Sequence, residues 1–76
     1  MNVNLKVTVA ILTKNEEKTI GKVIDGSKRY CDEILVVDGH SGDSTRQIAE
    51  SHGCRVIFDN GKGKGDGIKT AIKNIN

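Results

Sequence analysis

Proline and tryptophan are absent from the chain, and its only aromatic residues are Tyr30 and Phe58. Without proline, and with no low-complexity stretch, nothing resembles a linker, so no internal domain boundary is expected. Two aromatics make no stacking platform for single-stranded nucleic acid. A net charge of +2 is also too small to argue for nucleic acid. Cys31 and Cys54 lack CxxC spacing and follow no signal-peptide pattern, which predicts reduced thiols and a cytoplasmic location. Long apolar runs are missing too: Val7 to Leu12 is the longest, far short of the ~20 residues of a membrane span. A chain of 76 residues is one domain at most, and it buries only about 60% of its unfolded surface.

What is present is patterned. Three runs of branched apolar residues, "LKVTVAIL" (5–12), "EILVVD" (33–38) and "RVIFD" (55–59), read as buried strands. Between them "NEEKTIGKVIDGSKRY" sets Ile20, Val23 and Ile24 at helical spacing, and "DSTRQIAESHG" does so with Thr45, Ile48, Ala49 and His52. In the last segment, Ile68, Ala71, Ile72 and Ile75 form a third stripe. Asp43 or Ser44 is placed to cap the second helix, and Gly53 suits its left-handed stop. The order βαβαβα requires right-handed crossovers, hence a parallel sheet of order 3-2-1. Ligands of such sheets sit outside the carboxyl ends of the strands, so the loops after Leu12, Val37 and Phe58 carry the interest.

Each loop has a structural and a functional reading. Thr13 and Glu16 have capping-box spacing, which favours helix initiation; equally, the strand end and the Glu16 carboxylate could face a ligand bearing hydroxyls or ring N–H groups. Asp38 ends an apolar strand at the sheet's carboxyl edge, where its carboxylate could accept from a base or ribose, or hold the turn. His40, a lone turn histidine, reads as structural rather than as a zinc ligand. In "DNGKGKGDGIKT" the alternating glycines could be a plain surface loop. Their place between a strand and a helix, with Lys62 and Lys64, also suits a phosphate. The last fifteen residues hold four lysines and a single acidic residue, Asp66, consistent with an anion at that end. No metal cluster and no nucleophile with a base partner is legible.

In order, "ILTKNEEKTIGKVI", "EILVVDGHSGDSTRQIAESHGCRVI" and "GKGDGIKTAI" resemble the N-terminal part of family 2 glycosyltransferases, especially the branch that includes dolichyl-phosphate mannose synthases. The resemblance covers almost the whole chain. It implies an α/β, three-layer βαβαβα half of a Rossmann-like glycosyltransferase A fold, with residues 1–76 as a single truncated nucleotide-binding subdomain. The partner implied is a nucleoside diphosphate sugar, with a polyprenyl or dolichyl phosphate acceptor only in full-length members. By position, Thr13 and Glu16 match the first-strand motif at the nucleoside, Asp38 the aspartate at the base, Lys64 the glycine-and-lysine motif near the nucleotide, and Asp43 the second loop aspartate. The family's Asp-x-Asp metal motif and its catalytic base would lie beyond residue 76. No catalytic residue is therefore assigned, and a divalent metal, Mg or Mn, is expected only with the full-length enzyme. Membrane association is likewise expected only there.

A different class of function stays open: a free-standing small α/β module without catalytic activity. In an open sheet of order 3-2-1, the first strand is an uncovered apolar edge along which two copies could pair as a homodimer.

Overall fold

Four consecutive apolar residues, Ile34 to Val37, make a strand that must be covered on both faces, and the rest of the chain is arranged to do so. The computed structural model describes residues 6–61 and 64–75. Its elements are β1 (Thr8–Thr13), α1 (Ile20–Ser27), a 3-10 turn (Lys28–Tyr30), β2 (Glu33–Asp38), α2 (Thr45–Ser51), β3 (Arg55–Phe58) and α3 (Lys64–Asn74). The predicted alternation is present; Leu5, where the first strand was expected to begin, lies outside the described residues. All pairing is parallel in the order β1-β2-β3, which is the expected 3-2-1 seen from the other edge. Among the described residues β1 pairs only with β2 and is an edge strand.

β2 divides the core. Ile34 and Val36 point to one face and pack with Ile20 and Ile24 of α1 and Ala49 of α2. Leu35 and Val37 point to the other and pack under Ala71 of α3. Helices therefore cover both faces of the sheet. Each fully buried Ile, Leu or Val contributes about 1.5–3 kcal/mol relative to exposure, so this small set supplies most of the driving force.

Two helical expectations need correction. α1 begins at Ile20, not near Asn15, because Asn15 takes a left-handed backbone and the amides of Asn15, Glu16 and Glu17 bond the side chains of Ser41, Thr45 and Asp43, in the β2–α2 loop and at the start of α2. The capping-box spacing of Thr13 and Glu16 is accordingly unused: Thr13 ends β1, and the Glu16 carbonyl accepts the Thr19 and Ile20 amides. The isoleucine stripe of α3 also does not face the sheet. Ile68, Ile72 and Ile75 are exposed, as is Val23 of α1, while Gly67, Thr70 and Ala71 are buried. Close approach decides this, since a Cβ on Gly67 would stand 3.0 Å from Leu12 Cδ2. Only small residues fit between α3 and the strands.

α2 ends as expected. Gly53 has φ +82°, its amide donates to the Glu50 carbonyl and the Cys54 amide to that of Ala49, the paired bonds of a Schellman stop.

Candidate functional site

The strand register brings three ends to one line. Thr13 pairs with Asp38, and Asp38 with Phe58, so the residues at and just after these positions share the carboxyl edge of the sheet. An open groove of about 530 Å³ lies there. One wall is Leu12, Thr13, Lys14 and Glu16; Val37 and Gly39 come from the end of β2, and Asp59, Gly61 and Gly67 close the far side. Its charged lining is two carboxylates against one ammonium.

Thr13 stands out. It is 8% exposed, and among the described residues its Oγ1 is the one buried side-chain oxygen or nitrogen without a hydrogen-bond partner. Buried polar atoms are nearly always paired, so an unpaired hydroxyl in a groove wall is a ready ligand contact. Glu16 lines the same groove, with its carboxylate accepting from the Thr19 hydroxyl at 3.1 Å. These two sequence-predicted residues do come together.

Asp38 does not join them. It is 1% exposed, and both of its oxygens are taken by Ser41: the backbone N–H donates to Oδ2 at 2.9 Å and the hydroxyl to Oδ1. The same Ser41 oxygen accepts the Asn15 amide at 2.9 Å, so the bonds run from the β1–α1 loop through Ser41 to the buried carboxylate. Asp43 works beside it. Its Oδ1 accepts the Thr45 amide at 2.9 Å and the Thr45 hydroxyl, and its Oδ2 the Glu17 amide at 3.3 Å. The Thr45 hydroxyl, then the backbone amides of Thr45 and Glu17, hold the Asp43 carboxyl below its ordinary range. The Ser44 side chain, formally at the cap, makes no capping bond, while its amide donates to Glu17 Oε2 at 3.0 Å. Much of "VVDGHSGDST" is thus a polar staple that joins two loops.

Lys64 opens α3 near the groove; its side chain, with Lys62 and Gly63, lies outside the described residues. Asp66, in the first turn of α3, accepts from the Asn60 backbone and side-chain N–H groups and ties the third loop to the helix. His40 has a positive φ, meets the Asp59 carbonyl through Nε2 at 2.8 Å and stacks on Phe58 at 5.4 Å. It is a structural turn residue. Among the described residues no group of three or more His, Cys, Asp or Glu is arranged to hold a metal ion, and no helix is long and apolar enough to cross a membrane.

Sequence reading missed Asp59, Ser41, Asn15, Glu17 and Thr45 as participants. A signal existed for Asp59, which follows β3 as Asp38 ends β2, and the same strand-end rule applies to both. The others act through loop-to-loop bonds between residues more than twenty positions apart, which no local pattern reveals.

A parallel α/β sheet with a groove at its carboxyl edge and a helix N-terminus beside it is the arrangement of nucleotide-binding α/β proteins. The chain belongs to glycosyl transferase family 2, whose model matches residues 8–76. It is 39% identical over 71 residues to glycosyltransferase AglJ of Haloferax volcanii, an alignment that takes in 88% of this chain and 22% of that protein. Mannosyl-3-phosphoglycerate synthase from Rubrobacter xylanophilus superposes with a TM-score of 0.85 at 32% identity, covering 95% of this chain and 28% of that one. Glucosyl-3-phosphoglycerate synthase from Mycobacterium tuberculosis, solved with Mn2+, uridine diphosphate and glucosyl-3-phosphoglycerate, does so at 0.85 with 28% identity, covering 93% and 30%. The fold is glycosyltransferase A-like, and the chain spans between about a fifth and a third of the length of these three proteins.

Proposed function

We propose that residues 1–76 are the nucleotide-sugar-binding portion of a family 2 glycosyltransferase, with the donor's nucleoside in the groove beside Thr13 and Glu16. The observation that carries this reading is the buried, unpartnered Thr13 hydroxyl in the wall of that groove. The Asp38 region shapes the pocket through Ser41, and Lys64 at the start of α3 serves the diphosphate, where helix amides and an ammonium offset its charge. Uridine diphosphate is the first donor nucleotide to test, because it occupies the related synthase. That synthase also binds Mn2+, and a divalent metal belongs to the complete enzyme, to offset diphosphate charge during transfer. Two acceptor classes follow from kinship: a polyprenyl phosphate, from the dolichyl-phosphate branch, and a phosphoglycerate, from the synthases.

A chemical-shift titration with uridine and guanosine diphosphates and their glucose and mannose conjugates tests this. Amides of Thr13, Glu16, Gly39, Asp59 and Gly61 are expected to move together and saturate. If none moves at millimolar ligand, the reading fails. A second reading, a self-associating module, is favoured by the exposed Leu12 on β1, an edge strand among the described residues. Under that reading, sedimentation velocity shows concentration-dependent dimers and no nucleotide moves these amides.

A further inference from the structure

The two cysteines lie at the amino edge of the sheet, at the far end of the strands from the groove. Cys31 follows the 3-10 turn with an extended backbone and leads into β2; Cys54 follows the left-handed Gly53 and leads into β3. β2 and β3 are parallel neighbours, so their amino ends stand side by side, as their carboxyl ends do. The two side chains also take the same face. Both pack against the buried cluster of Ile20, Ile24, Ile34, Val36 and Ala49 that α1 and α2 cover. Both line one cavity of about 390 Å³, together with Lys28, Ile34 and Gly53. Each thiol is free and partly buried. Cys31 Sγ donates to the Ser27 carbonyl at 3.3 Å, at the end of α1, and the Ala49 carbonyl of α2 accepts the Cys54 amide at 3.3 Å. Cys54 feels the charges of Lys28, Cys31 and Asp25, which places it beside the end of α1 as well.

We propose that Cys31 and Cys54 are a paired modification site, which reacts with a low-molecular-weight disulfide such as oxidised glutathione and closes into an intramolecular disulfide. The Cys31 thiolate attacks one sulfur of the small disulfide, forming a mixed disulfide and releasing one small thiolate. The Cys54 thiolate then attacks the Cys31 sulfur and releases the other. Two protein thiols are oxidised, the small disulfide is reduced to two thiols, and the two protein protons pass to them. The order follows from the surroundings of Cys54: burial pushes its thiol up, against the Lys28 ammonium and with Cys31 and Asp25 adding to the rise. The external attack therefore falls to Cys31, since the thiolate is the nucleophile. Closure ties the start of β2 to the start of β3 around α2, which restricts the unfolded chain and stabilises the folded one.

The test incubates wild type, Cys31→Ser and Cys54→Ser with oxidised glutathione, both native and in urea, followed by acid quench, intact mass and trypsin digestion without reductant. Cleavage after Arg29, Arg46 and Arg55 separates residues 30–46 from residues 47–55, so the bond joins two peptides that are otherwise apart. Native wild type is expected to lose the mass of two hydrogens, to yield this linked pair, and to melt at least about 5 °C above its reduced form. Each single variant is expected to stop at one glutathione adduct, with Cys31→Ser reacting more slowly than Cys54→Ser. A native wild type that stops at glutathione adducts, or that forms the link only in urea, overturns the proposal. So does an oxidised form that melts no higher than the reduced one.

Discussion

Ser41→Ala isolates the staple from the groove. The hydroxyl donates to a carboxylate that is 1% exposed and accepts the Asn15 amide from the other loop. Removing it leaves Oδ1 of Asp38 short of a donor where water cannot enter, and the loss of a hydrogen bond to a buried charged group costs about 1.5–3 kcal/mol. The Asn15 amide adds little, because it is exposed and water replaces the lost acceptor. We expect a loss of about 2 kcal/mol, a large share of the ~4–11 kcal/mol that a chain of this size has in total. With a urea m-value of about 1 kcal/mol/M for so small a domain, the unfolding midpoint falls by roughly 2 M, and the melting temperature by about 10 °C. Ser44→Ala is the internal control, since the Ser44 side chain makes no capping bond; its midpoint should match wild type. A Ser41→Ala midpoint within about 0.3 M of wild type in the same urea titration would refute the claim that Ser41 holds the buried carboxylate.

Three further outcomes are expected. Thr13→Val removes an unpaired buried hydroxyl, so the free protein gains up to about 1 kcal/mol in a thermal melt while nucleotide affinity drops; a destabilised variant would mean that the hydroxyl has a partner. On α3, Ile72→Ser should lie within about 0.5 kcal/mol of wild type, because Ile72 is 67% exposed. Ala71→Leu, pressed against Leu35 and Val37, should cost about 1–3 kcal/mol by overpacking, and the reverse ranking would place α3 on its other face. Finally, the Asp43 carboxyl is held below its ordinary value of 3.8 by the Thr45 hydroxyl, and that of Asp25 likewise, first by its bond to His52. A lowered folded value means that each contribution is fully present above pH 3.8 and lost as pH falls through the folded value. Asp43→Asn should therefore be less stable than wild type near neutral pH, with the difference closing below pH 3.8; a constant difference across an acid series of urea titrations contradicts this assignment.

The legible parts share a cause. "EILVVD" matches β2 residue for residue, because a strand buried on both faces needs an unbroken apolar run. Gly53 announces the end of α2, because a left-handed stop strongly favours glycine. Asp43 was readable as the residue satisfying the first amide of α2, a requirement set within three residues of chain. The carboxyl edge followed from topology alone, since parallel strands joined by helices place their carboxyl ends side by side.

The sequence by itself determined the order of elements and the parallel sheet, which rest on local patterns and chain connectivity, and three of its segments resemble the family whose model matches the chain. Tertiary structure decided which face of α3 is buried, because the apolar and the small-residue stripes both have helical spacing and only packing distance chooses between them. It also decided the roles of the acidic residues. Asp38 and Asp59 are equivalent by the strand-end rule, yet a serine three residues on consumes both oxygens of the first, while the second keeps an oxygen facing the groove between two glycines. Hydrogen-bond satisfaction is settled by partners brought in from other loops, and that information appears only when the chain is folded.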